Sequence, residues 1–266
     1  MTAGAGPATG FSAMAAEYDA LAETNAVVSW MRRRIRHMAE RYLPAGGSVL
    51  EINAGSGLDA LYFAQRGFRV HATDVAPGML DALAEKASRP EAAGRISHEA
   101  ISFTDLERLT AGPYDLVFSN LGGLNCTEDL GEVARGLAKA LRPGGCAVLV
   151  VMPPLCPWEL AQAVRGHWRT AGRRLARDGV LAHVGGGYVR TWYHSPGKLQ
   201  RALGPAFRRL ELRSFCLLAP PSFFQGFIAR HPRLVRALMR ADEALGGLAP
   251  FNRCGDFYAL AVRYRP

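Results

Sequence analysis

Between residues 48 and 152 the chain alternates short, continuous runs of Val, Leu and Ile with stretches of helical spacing, and no other feature constrains its fold as tightly. The runs are SVLEI (48–52), RVHATD (69–74), a weaker stretch near 96–102, YDLVFSN (114–120) and CAVLVVM (146–152). Helical patterns fill the intervals. One runs from a Gly-rich turn through about Gln65, one covers 77–88 and opens on Pro77, and LGEVARGLAKAL covers 130–141 and stops at Arg142-Pro143-Gly144-Gly145. Strands that are apolar on successive residues need cover on both faces, which predicts a parallel sheet between two layers of helices. In such sheets ligands bind beyond the carboxyl ends of the strands. The Gly-rich turn, Asp74 and Ser119–Asn120 all fall there.

Residues 1–10 are small and flexible, with neither a basic nor a long apolar stretch, and are expected to form a disordered tail. Residues 11–43 read as helical, with Val28, Met31, Ile35, Met38 and Tyr42 on one apolar stripe. The core thus spans 11–152. Past Pro153-Pro154 the alternation stops, and 153–195 reads as an insertion with a helix over 158–177 and then GGGYVRTWYHSP as a short strand or loop. Residues 196–266 resume the pattern: helix 197–203, strand 208–218, an inserted segment 220–248 with the helix RLVRALMRADEAL, and a closing strand over 256–264.

Composition excludes several classes. No apolar run approaches the ~20 residues that span a bilayer. The five cysteines, Cys126, Cys146, Cys156, Cys216 and Cys254, are scattered and never form C-x-x-C. That argues against a disulfide framework or a zinc site, so no metal is expected, and it suits the reducing cytoplasm. The net charge of +9 is carried almost wholly by arginine, Lys86, Lys139 and Lys198 being the only lysines. No basic stretch is interleaved with stacking aromatics, so a solvated surface is favoured over a nucleic-acid partner.

The strongest motif runs from Val49 through Glu51, Asn53, Ala54, Gly55 and Ser56 to Gly57. A strand ends in an acid, enters a Gly-rich turn and gives way to a helix. Gly55 and Gly57 allow positive φ and close backbone approach, and the acid can hold an amino-acid ammonium. Asp74 ends the next strand, where a carboxylate accepts bonds from two ribose hydroxyls. Asp105 stands after the third strand, as a partner for an adenine amine or as an N-cap. Gly55 to Ala60 also satisfies G-x-G-x-x-A, the fingerprint of dinucleotide folds that bind NAD. Against that, three residues separate Glu51 from the first glycine, and a carboxylate there repels pyrophosphate.

These blocks together resemble the class I S-adenosylmethionine-dependent methyltransferases, of the type acting on small molecules. VLEINAGSG is similar to the family's first motif, HATDVAPGML to its second, GPYDLVFSN to its fourth, and LAKALRPGGCAVLVV to the helix–turn–strand that follows. The resemblance implies a Rossmann-like α/β fold with a central, mostly parallel seven-stranded sheet, helices on both faces and a substrate cap built from the insertions. It implies S-adenosylmethionine as cofactor, with S-adenosylhomocysteine as product. By it, Glu51, Gly55 and Gly57 contact the methionine part and Asp74 the ribose. Val75 and Met79 flank the nucleoside, and Thr104, Asp105 and Leu106 lie at the adenine. Ser119 and Asn120 line the methionine side, and Tyr18 closes over the cofactor. Asn53 departs from the pattern, standing where the family has glycine. Gly123 stands where some small-molecule members have histidine, so a base has to come from elsewhere.

Methyl transfer is an in-line displacement that needs alignment and water exclusion, and a base only if the acceptor must lose a proton. The acceptor is therefore expected among Asn125, Trp158, Trp192 and Tyr193, with PSFFQGF (221–227) as a lid and His167 or His194 as the proton acceptor. The expected partner is a small-molecule methyl acceptor, the protein being a monomer or homodimer. A macromolecular or lipid-linked acceptor is the alternative, because Arg230, Arg233, Arg236 and Arg240 beside Phe224, Phe227 and Ile228 admit contact with a membrane surface.

Overall fold

The computed structural model describes residues 11–12, 14–185 and 187–266. The tail expected over 1–10 lies outside the described residues. Two helices lead in, α1 (Ala15–Thr24) and α2 (Ala26–Glu40). The helical stretch expected over 11–43 divides at Asn25, whose extended backbone lets its Oδ1 accept from the Val27 and Val28 N–H groups and cap α2.

The core then runs β1 (Ser48–Ile52), α3 (Leu58–Gln65), β2 (Arg69–Asp74), α4 (Pro77–Ser88), β3 (Ile96–Ala100), β4 (Tyr114–Ser119), α5 (Leu130–Ala140) and β5 (Leu141–Val151). After the cap come α8 (Pro196–Leu203), β8 (Phe207–Phe215) and β9 (Phe257–Tyr264). Seven strands pair in the order β3-β2-β1-β4-β5-β9-β8. The first five are parallel, and β9 runs antiparallel between β5 and β8. The central strands β1 and β4 and the 145–151 part of β5 are buried on both faces, as their apolar runs require, whereas the edge strand β3 is largely exposed. Cys146, Val148 and Val150 of β5 join Met31, Ile35, Phe63 and Leu83 on one face. Ala147, Leu149 and Val151 join Val133, Leu137 and Leu199 on the other.

The cap differs from the expectation. The helix expected over 158–177 is instead a chain of short turns, including α6 (Pro157–Leu160) and α7 (Trp168–Gly172). Gly166 adopts a left-handed φ of 79° between them, which ends one turn and starts another. Residues 187–191 of the GGGYVRTWYHSP stretch form half of a hairpin, β6 (Val180–Val184) with β7 (Gly187–Thr191), separate from the main sheet. In the inserted segment the expected helix RLVRALMRADEAL is present as α10 (Pro232–Leu245), preceded by the short α9 (Gln225–Arg230), with His231 between them ahead of Pro232.

A buried ion cluster fastens the cap to the sheet. Arg174 is 3% exposed, and its guanidinium reaches Glu159 of α6 (2.7 Å) and Asp256 at the head of β9 (2.5 Å). Cys156 lies with those carboxylates, their ligand atoms within 4.8 Å of one another, but the cation there is already arginine.

Candidate active site

The site is built where β1 ends. Glu51 is the fourth residue of β1, flanked by Ala72 and Phe118 of the neighbouring strands, and is 2% exposed. Its Oε2 is buried without a hydrogen-bond partner. Burial first, and the nearby Asp59 carboxylate next, push Glu51 well above the usual carboxylate range, with Arg32 and Arg36 opposing.

The chain then turns through three left-handed residues, Asn53 (φ 55°), Gly55 (φ 56°) and Gly57 (φ 82°). At Gly57 a Cβ would lie 2.3 Å from Leu83 Cδ1, so only glycine fits. Asn53 holds the position usual for glycine because asparagine tolerates this region best among residues with side chains. Its Nδ2 donates to Ser119 Oγ (3.2 Å). A Cβ on Gly123 would lie 2.6 Å from Asn53 Cβ, Cγ and Nδ2. The Asn53 side chain therefore fills the space that a residue at 123 would need, and the two departures noted in the sequence are one structural fact.

Asp74 ties the turn to β2. Its Oδ2 accepts from the Gly55 N–H (2.8 Å), and its Oδ1 accepts from Val75 (2.8 Å) and Ala76 (2.9 Å). Met79 is buried, its sulfur 3.8 Å from where a Gly55 Cβ would stand, while Val75 is half exposed. Ser56 donates to Asp19 of α1, which also receives Lys86 Nζ (2.5 Å). Thr104 and Asp105 are partly exposed and Leu106 is buried. Asp105 stands at the N-cap position of the Leu106–Arg108 turn, but its side chain makes no cap bond there and pairs with Arg108 (3.0 Å).

Residues that the sequence did not single out complete the base of the site. Asp59 of α3 is 3% exposed and accepts from Arg32 Nη1 (2.7 Å), Arg36 Nε (2.5 Å) and Asn120 Nδ2 (2.9 Å). Burial lifts its pKa, but the two arginines outweigh that and hold it below the usual range. Arg32 lies beneath the Tyr18 ring, 5.5 Å from its centroid, and its Nε is buried without a partner. Ser119 and Asn120 bond to residues of this region, Ser119 to Asn53 and Asn120 to Asp59.

On the acceptor side the structure redistributes the expected residues. Asn125 is fully buried, and its side chain is saturated by backbone: Nδ2 donates to Met152 (3.0 Å) and Trp192 (2.6 Å), and Oδ1 accepts from the Met152 N–H (2.9 Å). It stitches the loop after β4 to β5 and the cap, leaving no polar group for a substrate. His194 is also fully buried. Its Nε2 bonds the Thr127 carbonyl (2.8 Å), its Nδ1 has no partner, and burial pushes its pKa down to about 4 against that bond. The ring is neutral and clasps the cap to the loop after β4. His167 is exposed at the head of α7 and bonds through its backbone N–H to Gln162. Trp192 and Tyr193 are half buried, and the Tyr193 ring lies 5.0 Å from the Arg174 guanidinium. Trp158 packs on Phe224 (5.1 Å) and Phe227 (5.9 Å) along a cavity of about 770 Å³ between the segment after β5 and α9.

Residues 49–145 match a family model described as a methyltransferase domain. These residues run from β1 into β5 and carry the acid, the left-handed turn and Asp74. Over this stretch the chain is similar to methyltransferase domains, and its fold is that of S-adenosylmethionine-dependent methyltransferases. It is 30% identical over 169 residues to a malonyl-[acyl-carrier protein] O-methyltransferase of Halorhodospira halophila, covering 58% of this chain and 52% of that protein. It is 31% identical over 128 residues to the S-adenosyl-L-methionine-dependent Diels-Alderase iccD of Talaromyces variabilis, covering 44% of this chain and 42% of that protein. The chain thus spans about half the length of these curated relatives. Among solved structures, the 1,6-didemethyltoxoflavin-N1-methyltransferase of Burkholderia thailandensis shares the fold at a TM-score of 0.54 and 18% identity, over 96% of this chain and 86% of that one. No helix among the described residues is long and apolar enough to cross a membrane.

The similarity to methyltransferase domains implies S-adenosylmethionine, and the residues present fit it. The partnerless Oε2 of Glu51 and the partnerless Nε of Arg32 are a buried acceptor and a buried donor, and each such atom costs free energy until something pairs with it.

Proposed function

We propose that the chain transfers a methyl group from S-adenosylmethionine to an oxygen or nitrogen of a small-molecule metabolite. One observation carries this reading. Glu51 and Arg32 lie near enough to perturb each other electrostatically, yet each keeps a buried polar atom unpaired. An acceptor beside a donor is the complement of an amino acid's ammonium and carboxylate. A dinucleotide has no cation to offer Glu51 at that point.

On this reading Glu51 holds the ammonium and Arg32 the carboxylate. Asp74, which keeps a lone pair on Oδ2 beyond the Gly55 bond, takes the ribose. Tyr18, Asp19 and α1 cover the amino-acid end, Val75 and Met79 flank the nucleoside, and Thr104 to Leu106 border the adenine. When bound, the cofactor supplies a methyl group on a sulfonium sulfur, and its charge disappears as the group leaves. The aromatic residues of the cap, Trp158 and those of the 221–227 segment, exclude water from the acceptor side and present surface that does not compete as a nucleophile. His194, neutral and buried, positions the cap. The O-methyltransferase relative favours oxygen as the acceptor atom, and its name also favours a second reading, an acceptor presented on a carrier protein.

Calorimetric titration with S-adenosylmethionine, S-adenosylhomocysteine and NAD tests the cofactor, and homocysteine release in a screen of phenols, carboxylic acids, amines and sugars tests the acceptor. Micromolar binding of the two adenosyl compounds without NAD binding is expected. NAD binding without adenosyl binding would overturn the proposal.

A further inference from the structure

The 770 Å³ cavity beside Trp158 has a chemical character that no residue of the cofactor site explains. Two segments make it, the one that follows β5 and the one that follows β8, both leaving the carboxyl edge of the sheet where the cofactor loop also lies. The second is fastened to the head of α2, Asn25 Nδ2 donating to the Ser222 carbonyl (3.1 Å), and α2 is the helix that carries Arg32. Its volume falls within the ~300–1,000 Å³ usual for small-molecule sites.

The lining is of two kinds. Trp158, Phe223, Phe224 and Phe227 supply rings, and the Trp158 N–H is already spent on the Leu218 carbonyl (3.2 Å), so the indole offers the cavity an apolar face. Phe223 is 53% exposed, a large apolar surface left in water. Arg165 comes from the segment that follows β5 and Arg230 from α9. Neither makes an ion pair among the described residues, and Arg230 bonds only its own helix, Nε to the Gly226 carbonyl (3.1 Å). The acids of the surrounding segments are committed elsewhere: Glu159 to Arg173 and Arg174, Asp242 to the backbone of 217–219, and Glu243 to Trp30 and Arg34. Asp178 lies in the cap hairpin's approach and is absent from the lining. The cavity therefore pairs an aromatic floor with two guanidinium groups that have no carboxylate partner among the described residues.

We infer that this cavity binds an anionic amphiphile, an apolar or aromatic body packed on Trp158, Phe224 and Phe227 with a phosphate or carboxylate held between Arg165 and Arg230. This inference rests on the methyltransferase reading for the claim that the amphiphile is the methyl acceptor, and on the cavity alone for the claim that it binds. A cationic molecule is repelled there, and a neutral one leaves both arginines unused.

The test uses the full chain loaded with S-adenosylhomocysteine and four probes below their aggregation thresholds: octyl phosphate, octanol, octyltrimethylammonium and inorganic phosphate. Octyl phosphate is expected to bind at least tenfold more tightly than any of the others. Arg165→Gln with Arg230→Gln, both at exposed positions, should weaken octyl phosphate at least fivefold while leaving octanol and S-adenosylhomocysteine within twofold. Equal affinity for octanol and octyl phosphate, or no response to the double substitution, overturns the inference. So does binding to anionic vesicles without binding of monomeric octyl phosphate, which would make the patch a membrane contact. A chain that binds octyl phosphate as expected but no adenosyl compound supports the cavity and refutes the methyltransferase reading.

Discussion

Gly123→Ala is a one-carbon perturbation whose cost can be worked from the structure. The added Cβ would stand 2.6 Å from three atoms of Asn53, one of them Asn53 Cβ, which no rotation of that side chain can move. Relief needs a shift of backbone, either in the turn after β4 or in the cofactor loop itself. Overpacking of this kind costs about 1–3 kcal/mol. Because Asn53 lies two residues before Gly55, the same shift should weaken S-adenosylhomocysteine by roughly 5- to 100-fold. Asn53→Gly removes all three close contacts. Alone it relieves left-handed strain and forfeits the 3.2 Å bond to Ser119, two effects of about 1 kcal/mol and opposite sign. The double variant should therefore recover most of the loss, giving a coupling energy of at least about 1 kcal/mol in a double-mutant cycle read by urea unfolding and by calorimetry. If Gly123→Ala costs less than about 0.3 kcal/mol, or the two substitutions are additive, the packing argument fails.

Arg174→Ala strands the buried carboxylate of Asp256 and leaves Glu159 to Arg173 alone, and should cost about 3–5 kcal/mol in urea unfolding; a loss under about 1 kcal/mol would show the cap to be held otherwise. His194 has a folded pKa of about 4 against an ordinary 6.5, so the unfolded chain binds its proton more readily between those values. Its contribution is fully present above pH 6.5 and is lost as pH falls, so the stability margin of wild type over His194→Asn should shrink by about 3 kcal/mol between pH 7 and pH 4. A margin independent of pH would contradict the buried, neutral assignment. Glu51 is raised, so a cofactor cation that needs its charged form should bind less tightly as pH falls through that raised value, and Glu51→Gln should flatten the dependence.

The parallel sheet was legible because burial on both faces leaves continuous Val, Leu and Ile runs, and the cofactor loop because its acid and glycines are neighbours in sequence. Arg32 and Asp59 were not legible. They meet across 27 residues, and Arg32 sits in a run of arginines whose other members face solvent. Asn125 and His194 drew attention as polar residues near the acceptor, yet each is consumed by backbone groups of segments far away in sequence, a closure that only the folded chain reveals. The helix expected over 158–177 failed because apolar spacing says nothing of Gly166 adopting a left-handed conformation.

The central claim is that Glu51 and Arg32 receive the amino-acid end of the cofactor, and comparing two ligands on two proteins tests it most directly. S-adenosylhomocysteine carries that end, whereas 5′-methylthioadenosine lacks it. Glu51→Gln should weaken the first at least tenfold and change the second less than twofold, with the fold intact by unfolding midpoint. Equal losses for both ligands, or none for either, would contradict the account.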